Sequence, residues 1–211
     1  GWEGWYDYPA ILTPKEHLEK TYEFITNHPE LFEDGDSFTA CPECENGGPG
    51  DPRSTGDVEG HNRFLQEQQN VMELAFSNTN KNVYTNWQSM NGDIALDVLS
   101  QETVWRLGNI ITIDHAVSPE RMHHDIRALV KKFPNAKIMI GEYGAEYHAS
   151  QSEEEQLSHI TQMFDVFERN KDSIVGVNYW SLNRSASALI DDKYNLRLAG
   201  EFLREKFSNR N

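Results

Sequence analysis

Two short apolar runs in this sequence lead into glutamates, a position in which a carboxylate can do chemistry. Glu142 comes directly after Lys137–Gly141 (KIMIG), and Glu43 comes shortly after Ser37–Cys41 (SFTAC), with Glu45 close behind it. Two carboxyl groups, one protonated and one ionised, are the arrangement that hydrolyses a glycosidic bond. The first donates a proton to the leaving oxygen, and the second attacks the anomeric carbon or activates water. The sequence therefore predicts a catalytic pair drawn from these glutamates.

Polar and aromatic side chains also collect at the ends of other apolar runs. Each one alone is commonplace, but in parallel α/β folds the active site lies at the carboxyl ends of the strands. Tryptophans there offer flat apolar surfaces to sugar rings. The joint placement predicts substrate contacts from Glu45, Asn46, Trp87, Asp114, His115, Tyr143 and Trp180.

These positions depend on strands that alternate with helices. Capping sequences mark helix starts at Thr13–Glu16 (TPKE), Ser118–Arg121 (SPER) and Ser152–Glu155 (SEEE). Strands that alternate with helices indicate βαβ units and a parallel sheet. The predicted helices cover about 14–27, 61–77, 101–107, 119–133 and 196–207, with a further one after the Ser152 cap. The predicted strands are Ser37–Cys41, Asn82–Trp87, Asn109–His115, Lys137–Gly141 and Ile174–Trp180.

The composition is that of a globular protein with a strong negative charge. The 211 residues are 37% hydrophobic and 25% charged, and the formal net charge is −15. Because nucleic acids and anionic membranes need a positive surface, neither is expected as a partner, whereas a neutral carbohydrate is compatible. No apolar run approaches the ~20 residues of a membrane span, and Gly1–Tyr6 lacks the pattern of a signal peptide. We expect a soluble chain and leave its compartment open.

The cysteines and one histidine cluster give weaker signals. Cys41 and Cys44 form a C-P-E-C pattern, but a zinc site would need two more ligands and the sequence has no second cysteine pair. We expect two incidental thiols in preference to a disulfide or a metal site. His123, His124 and Asp125 look like metal ligands, yet neighbouring helix residues point in different directions, so a solvated helix face is expected. No cofactor or metal is expected.

Two segments resemble a known group of enzymes. Ile140–Gly144 (IGEYG) and Asn178–Ser181 (NYWS) are similar to strands seven and eight of the retaining glycoside hydrolases of clan A, the (β/α)8 barrels of the cellulase, mannanase and xylanase type. The resemblance implies that Glu142 is the nucleophile and that Tyr143 helps to orient it. It also implies that Trp180 lies under the sugar at the bond being cut, with a cis peptide bond after it.

Two further segments resemble the same group more loosely. Asp114–His115 is similar to the end of strand six, where a histidine commonly contacts the nucleophile. Phe38–Glu43 (FTACPE) is similar to strand four, although proline stands where the group usually has an asparagine that binds the sugar 2-hydroxyl. The resemblance favours Glu43 over Glu45 as the acid/base, and Asn46 could supply the missing 2-hydroxyl contact.

The predicted strands number five, whereas a complete barrel has eight. In the numbering of the resembled group they are strands four to eight. Residues 1–211 would then be a single, partial barrel domain, with residues 1–12, including Trp5, as a loop at the substrate cleft. Since an open parallel sheet exposes unpaired strand edges, we expect a truncated barrel or one completed by another chain. A homodimer is the concrete hypothesis.

Three functions are carried forward. The first is a retaining glycosidase acting on β-linked oligo- or polysaccharides, in which Glu142 forms a glycosyl-enzyme and Glu43 acts first as acid and then as base. The two carboxyl groups would be ~5–5.5 Å apart. The second is a non-catalytic carbohydrate-binding remnant of such an enzyme. The third is a metal-dependent hydrolase that uses Asp114, His115 and His61.

Overall fold

The structure, a computed structural model, describes residues 12–145, 152–183 and 187–208. Trp5 and nearly all of the expected cleft loop lie outside the described residues. The chain divides into two compact units, Gly1–Ile111 and Thr112–Asn211, and the single domain expected from the sequence stays a prediction. None of the helices described is long and apolar enough to cross a membrane.

Helices and short strands alternate along the described part of the chain. The helices are α1 (Pro14–Asn27), α2 (Pro52–Thr55), α3 (Val58–Thr79), α4 (Gly92–Val98), α5 (Gln101–Arg106), α6 (Pro119–Lys132), α7 (Glu153–Arg169) and α8 (Leu198–Ser208). The strands are β1 (Ser89–Asn91), β2 (Ile110–Asp114), β3 (Lys137–Tyr143) and β4 (Ile174–Tyr179). The six predicted helices are confirmed with small changes of bounds, whereas α2 and α4 are additions that the sequence patterns do not predict.

The strands form a parallel sheet in the order β1-β2-β3-β4, which confirms the predicted α/β architecture. In the described residues the sheet has four strands, not the five predicted, and it does not close into a barrel. Ser37–Cys41 contributes only an isolated bridge between Ser37 and Tyr84. It extends no further because Pro42 has no N–H for a ladder and because the chain turns at this point.

In the first unit, α1 and α3 pack together over an aromatic core. The predicted capping box is present: the Thr13 side chain accepts a hydrogen bond from the Glu16 N–H, and the Glu16 carboxylate accepts one from the Thr13 N–H. Capping fixes where α1 begins and so which of its residues face α3. The buried residues of this core are Ile25, Phe32, Met72, Ala75 and Phe76.

Buried amides tie α3 to the extended segment that leads into β1. His17 hydrogen-bonds Gln68 at 3.1 Å, and the Gln68 amide donates to Gln88 at 3.1 Å. Gln88 donates in turn to the Leu65 carbonyl at 3.1 Å. Because an unpaired buried amide would be costly, this chain of bonds fixes the position of Gln88 along α3, and with it the position of β1.

In the second unit, α7 packs against α6 and α8. The predicted caps are confirmed, since Ser118 caps α6 and Ser152 forms a capping box with Glu155 at the start of α7. Phe164 of α7 packs edge-to-face on Phe202 of α8, with ring centres 5.4 Å apart. These helices support β3 and β4, which carry the residues of the IGEYG and NYWS segments.

Candidate active site

A bulge in β3 decides where Glu142 lies. Ile140 pairs with Val177 and Tyr143 pairs with Tyr179, so β3 has one residue more than β4 in this stretch. A bulge of this kind redirects the side chains around it. Ile140 and Tyr143 therefore share the buried face, and Glu142, next to Tyr143, lies on the opposite face and is half-buried.

Tyr143 is part of the core. Its side chain is 1% exposed and packs edge-to-face against Phe167 of α7, at 5.0 Å between ring centres, and against Tyr179 of β4, at 5.2 Å. A ring this deeply buried cannot lie against a sugar, so the structure argues against the predicted substrate contact of Tyr143. Its packing instead holds the end of β3 and so affects Glu142 through the backbone.

Two glycines of the IGEYG segment make room for neighbouring groups. A Cβ atom on Gly141 would overlap the Asp114 carboxylate, and one on Gly144 would lie 2.7 Å from the Trp180 carbonyl oxygen. Real Cβ contacts are longer than this, so both positions need glycine. Asp114, predicted to bind substrate, is buried at the end of β2 with its carboxylate against Gly141.

His115 connects Glu142 to a buried carboxylate. Its backbone N–H donates to the Glu142 carbonyl oxygen at 2.8 Å, and its Nε2 hydrogen-bonds Asp125 Oδ2 at 2.8 Å. Asp125 is fully buried and also accepts from Arg121 Nε at 2.6 Å and His124 Nδ1 at 2.8 Å. The expected solvated face is therefore wrong at Asp125, which orients the His115 ring.

Several partners set the charge of Asp125. Burial raises its pKa, but the hydrogen bonds from His124, Arg121 and His115 outweigh burial and leave the pKa below the usual range. Asp125 is thus the ionised partner of the His115 ring. The pairing could not be predicted from the sequence, because helix periodicity alone does not show which face of α6 is covered.

Trp180 follows the end of β4. Its side chain is 41% exposed, and its backbone N–H donates to the Tyr143 carbonyl oxygen at 2.8 Å. The Trp180–Ser181 peptide bond is cis, as the resemblance to strand eight predicted. The exposed indole is therefore available as an apolar surface beside the end of β3.

The cysteines correct another expectation. Cys41 and Cys44 form a disulfide, with Cα atoms 5.3 Å apart, so they are not incidental thiols. Between them Glu43 adopts a left-handed backbone conformation with φ of 50°, and its N–H donates to the Ser89 carbonyl oxygen at 3.0 Å. Cross-linking a turn restricts its conformations, so the disulfide holds the backbone that carries Glu43.

The Glu43 carboxylate is half-buried and hydrogen-bonded through both oxygens. Oε1 accepts from Asn91 Nδ2 at 2.5 Å, and Oε2 accepts from Asn46 Nδ2 at 3.3 Å. Burial raises its pKa, and this outweighs the opposing effects of the bonds from Asn46 and Asn91 and of the Arg53 charge. A raised pKa is what a general acid needs. Asn46 is exposed, so its predicted contact with a sugar hydroxyl is sterically open.

Glu45 lies deeper than Glu43. Its side chain is 0% exposed, and Oε1 accepts from the Asn91 backbone N–H at 2.6 Å. Burial, with a smaller contribution from the Glu43 charge, raises its pKa to about 7. Oε2 has no hydrogen-bond partner within the described ranges. Because a donor must reach the leaving oxygen, the accessible Glu43 is the better candidate for the acid/base.

Asn91 is a functional candidate that the sequence analysis missed. The predicted strand Asn82–Trp87 is wrong: it contributes only the isolated bridge at Tyr84, and β1 runs instead from Ser89 to Asn91. Trp87 is half-buried and stacks on Tyr84, with ring centres 6.2 Å apart and planes 12° from parallel. The aromatic and polar residues around Trp87 resemble a strand end, although the extended chain continues. An asparagine immediately before the helical run at Gly92 was the available signal, since asparagine favours helix N-caps.

The two histidines of the metal hypothesis make hydrogen bonds within the protein. His61 is buried with Nδ1 3.2 Å from the Gly50 carbonyl oxygen, and His115 Nε2 bonds Asp125. In the part of the chain that the structure describes, no group of three or more His, Cys, Asp or Glu side chains is arranged to hold a metal ion. The geometry therefore offers no support to a metal-dependent hydrolase.

Comparison with known proteins gives a match in structure only. No protein-family profile and no curated protein matches the sequence. A β-glucuronidase from Ruminococcus gnavus in complex with uronic deoxynojirimycin superposes with a TM-score of 0.66 at 13% identity, over 92% of this chain and 36% of its own. The Ignisphaera aggregans GH53 catalytic domain superposes with a TM-score of 0.62 at 16% identity, over 92% of this chain and 66% of its own. A GH128 exo-β-1,3-glucanase from Aureobasidium namibiae superposes with a TM-score of 0.56 at 13% identity, over 82% of this chain and 68% of its own.

All three are glycosidases built on TIM barrels. The fold is that of part of a TIM barrel. At these identities the likeness establishes the fold alone, and it confirms the fold that the sequence resemblance implied. The chain spans between about a third and two thirds of the length of the structures it matches.

Proposed function

We propose that the chain is a retaining glycoside hydrolase that acts on β-linked oligo- or polysaccharides. Glu142 is the nucleophile and Glu43 is the acid/base. The observation that carries the proposal is the bulge in β3, which turns Glu142 away from the buried face at the carboxyl end of a parallel strand. The exposed Trp180 beside the end of β3 and the glycosidase folds of the structural neighbours also support the proposal.

In the proposed reaction, Glu142 attacks the anomeric carbon while Glu43 gives its proton to the leaving oxygen. The glycosidic bond breaks and a glycosyl-enzyme ester forms. Glu43, now ionised, takes a proton from water, which attacks the anomeric carbon and releases Glu142. The raised pKa of Glu43 suits the first of these steps. The mechanism requires the two carboxyl groups to be about 5–5.5 Å apart, and a separation near 9 Å would contradict it.

A panel of aryl β-glycosides and β-glucans tests the proposal. The chain should turn over at least one of them, and Glu142→Gln should lower kcat by at least about 10³-fold, because it removes the nucleophile. Glu154→Gln, on the exposed surface of α7, is the matched control and should keep full activity. Circular dichroism shows whether both variants fold. Absence of turnover by the unaltered chain contradicts the proposal.

A carbohydrate-binding protein without turnover is the second candidate. It is favoured by the sheet, which is four-stranded and open in the residues that the structure describes, and by the partial coverage of the neighbours. Residues that tune a nucleophile normally come from all around a barrel. Calorimetric titration with β-linked oligosaccharides distinguishes the two. Binding that is equal in the chain and in Glu142→Gln, with no product from either, supports this candidate over the enzyme.

A further inference from the structure

Asn91 contacts both acidic residues of the C-P-E-C loop. Its side-chain Nδ2 donates to Glu43 Oε1 at 2.5 Å, and its backbone N–H donates to Glu45 Oε1 at 2.6 Å. Its Oδ1 accepts from Asn46 Nδ2 and from Arg53 Nη2, each at 3.1 Å. One residue thus joins two carboxyl groups, an amide and a guanidinium group.

The surroundings leave the Asn91 amide a single orientation. Its oxygen faces two donors, from Asn46 and Arg53, and its nitrogen faces the Glu43 carboxylate, which is an acceptor. A reversed amide would place N–H groups against N–H groups and an oxygen against an oxygen. Asn91 also ends β1 and precedes α4, and its backbone is held by buried Glu45, so neither its side chain nor its backbone is free to turn.

We propose that Asn91 is the positioning residue of the acid/base, holding the Glu43 carboxyl group for proton transfer, with Glu45 as the anchor that holds Asn91. The inference rests on the proposed function, in which Glu43 donates the proton. Asn91 lies outside the segments that resemble known glycosidase motifs, and only the geometry at the end of β1 brings it to Glu43 and Glu45.

The contacts assign the proton to one oxygen of Glu43. Because Oε1 accepts a short bond from Asn91 Nδ2, the acidic proton resides on Oε2, where the bond from Asn46 is longer at 3.3 Å. Oε2 is then the atom that gives its proton to the leaving oxygen and later takes one from water. Without Asn91, the carboxyl group could rotate and the proton could occupy either oxygen.

Asn91→Ala is a clean test of the side chain. The Asn91 side chain makes no capping hydrogen bond to α4, so alanine removes no cap, and the backbone bond to Glu45 stays. Asn86→Ala is the matched control, since Asn86 is the same residue type on the same extended segment and its amide donates to the Leu107 carbonyl oxygen instead of a carboxylate.

The first measurement is the titration of Glu43 by carbon-13 NMR of its carboxyl group, assigned with Glu43→Gln. The charged groups around it are Glu45 on the same loop, Arg53 of α2, and Asp93 of α4, whose carboxylate lies 3.7 Å from Arg53. The bond from Asn91 lowers the pKa of Glu43, so Asn91→Ala should raise it, and Asn86→Ala should leave it unchanged. An unchanged pKa in Asn91→Ala overturns the inference, whether or not the chain is an enzyme.

The second measurement compares two leaving groups. Aryl glycosides with a poor leaving group, such as unsubstituted phenol, depend on proton donation, whereas 2,4-dinitrophenyl glycosides leave almost unaided. Asn91→Ala should lower kcat/KM by about 10- to 100-fold for the phenyl glycoside and by less than about threefold for the dinitrophenyl one, as partial loss of general acid catalysis predicts. An equal loss for both indicates a merely structural role and overturns the inference. No turnover by the unaltered chain refutes the proposed function, and the NMR titration alone then decides on Asn91.

Discussion

At the scale of single residues, Glu45 is where pH should act on stability. Burial raises its pKa from 4.5 to about 7. Between these values the folded protein keeps the proton that the unfolded chain has lost, so the free energy of unfolding falls as pH rises through this window. At ~1.4 kcal/mol for each pH unit, the total loss from this group is about 3 kcal/mol.

Glu45→Gln should remove that loss. Glutamine resembles the protonated acid and keeps an oxygen for the Asn91 N–H. Urea unfolding should show the variant more stable than the unaltered protein by about 3 kcal/mol above pH 7 and equal to it near pH 4.5. The exposed Glu154→Gln should follow the unaltered protein throughout. If the free energies of unfolding of Glu45→Gln and of the unaltered protein change in parallel with pH across this range, Glu45 ionises freely and the prediction is wrong.

Individual residues differ in how far the sequence could predict them. Glu142 and Trp180 lie in local motifs, an apolar strand followed by a marked residue, and the structure has both at strand ends. Asp125 and Asn91 could not be found that way, because their importance comes from partners distant in sequence. Asp125 is buried and hydrogen-bonded to His115, and Asn91 is hydrogen-bonded to Glu43, which lies 48 residues away in the sequence.

At the scale of elements, the close approach of β2 to β3 should be sensitive to an added methyl group. Gly141→Ala places Cβ against the Asp114 carboxylate and 2.9 Å from Thr112 Cγ2. Both neighbours are short, buried side chains of β2, which have less freedom to move than a long flexible side chain. We expect a loss of about 1–3 kcal/mol in the free energy of unfolding, measured by urea denaturation.

Gly176→Ala is the matched comparison for this prediction. Its Cβ would lie 2.7 Å from Met139 Sδ, the far part of a flexible side chain that can change rotamer. The cost should therefore be well below that of Gly141→Ala. Equal costs at the two positions would show that the contact with β2 is no tighter than the contact with Met139.

Among the elements, helices were more predictable than strands. Capping sequences are local, so Thr13, Ser118 and Ser152 marked helix starts correctly. The three residues of β1 have little pattern of their own, and bonds from α3 to Gln88 fix their position. Tertiary contacts decided this strand, which is why the predicted strand Asn82–Trp87 stops before β1 begins and does not overlap it.

At the scale of the whole molecule, the open sheet raises the question of what covers it. Within the described residues β4 is the last strand of the sheet. Apolar side chains on and after it are exposed, with Val175 at 50% and Leu182 at 59%. Parallel sheets are normally covered, and an uncovered strand edge invites pairing with another chain. We propose that a second copy of the chain covers this edge.

Sedimentation velocity tests that dimer. The unaltered chain should sediment as a dimer at micromolar concentration, and Val175→Lys should make it a monomer, because an edge lysine opposes strand pairing. Leu74→Lys, at an exposed position on α3, should leave the dimer intact. Two chains of net charge −15 repel each other, so association should strengthen between 0.01 and 0.15 M salt as the Debye length falls from about 30 to about 8 Å. A monomer at every concentration and salt level would exclude self-association as the cover for β4.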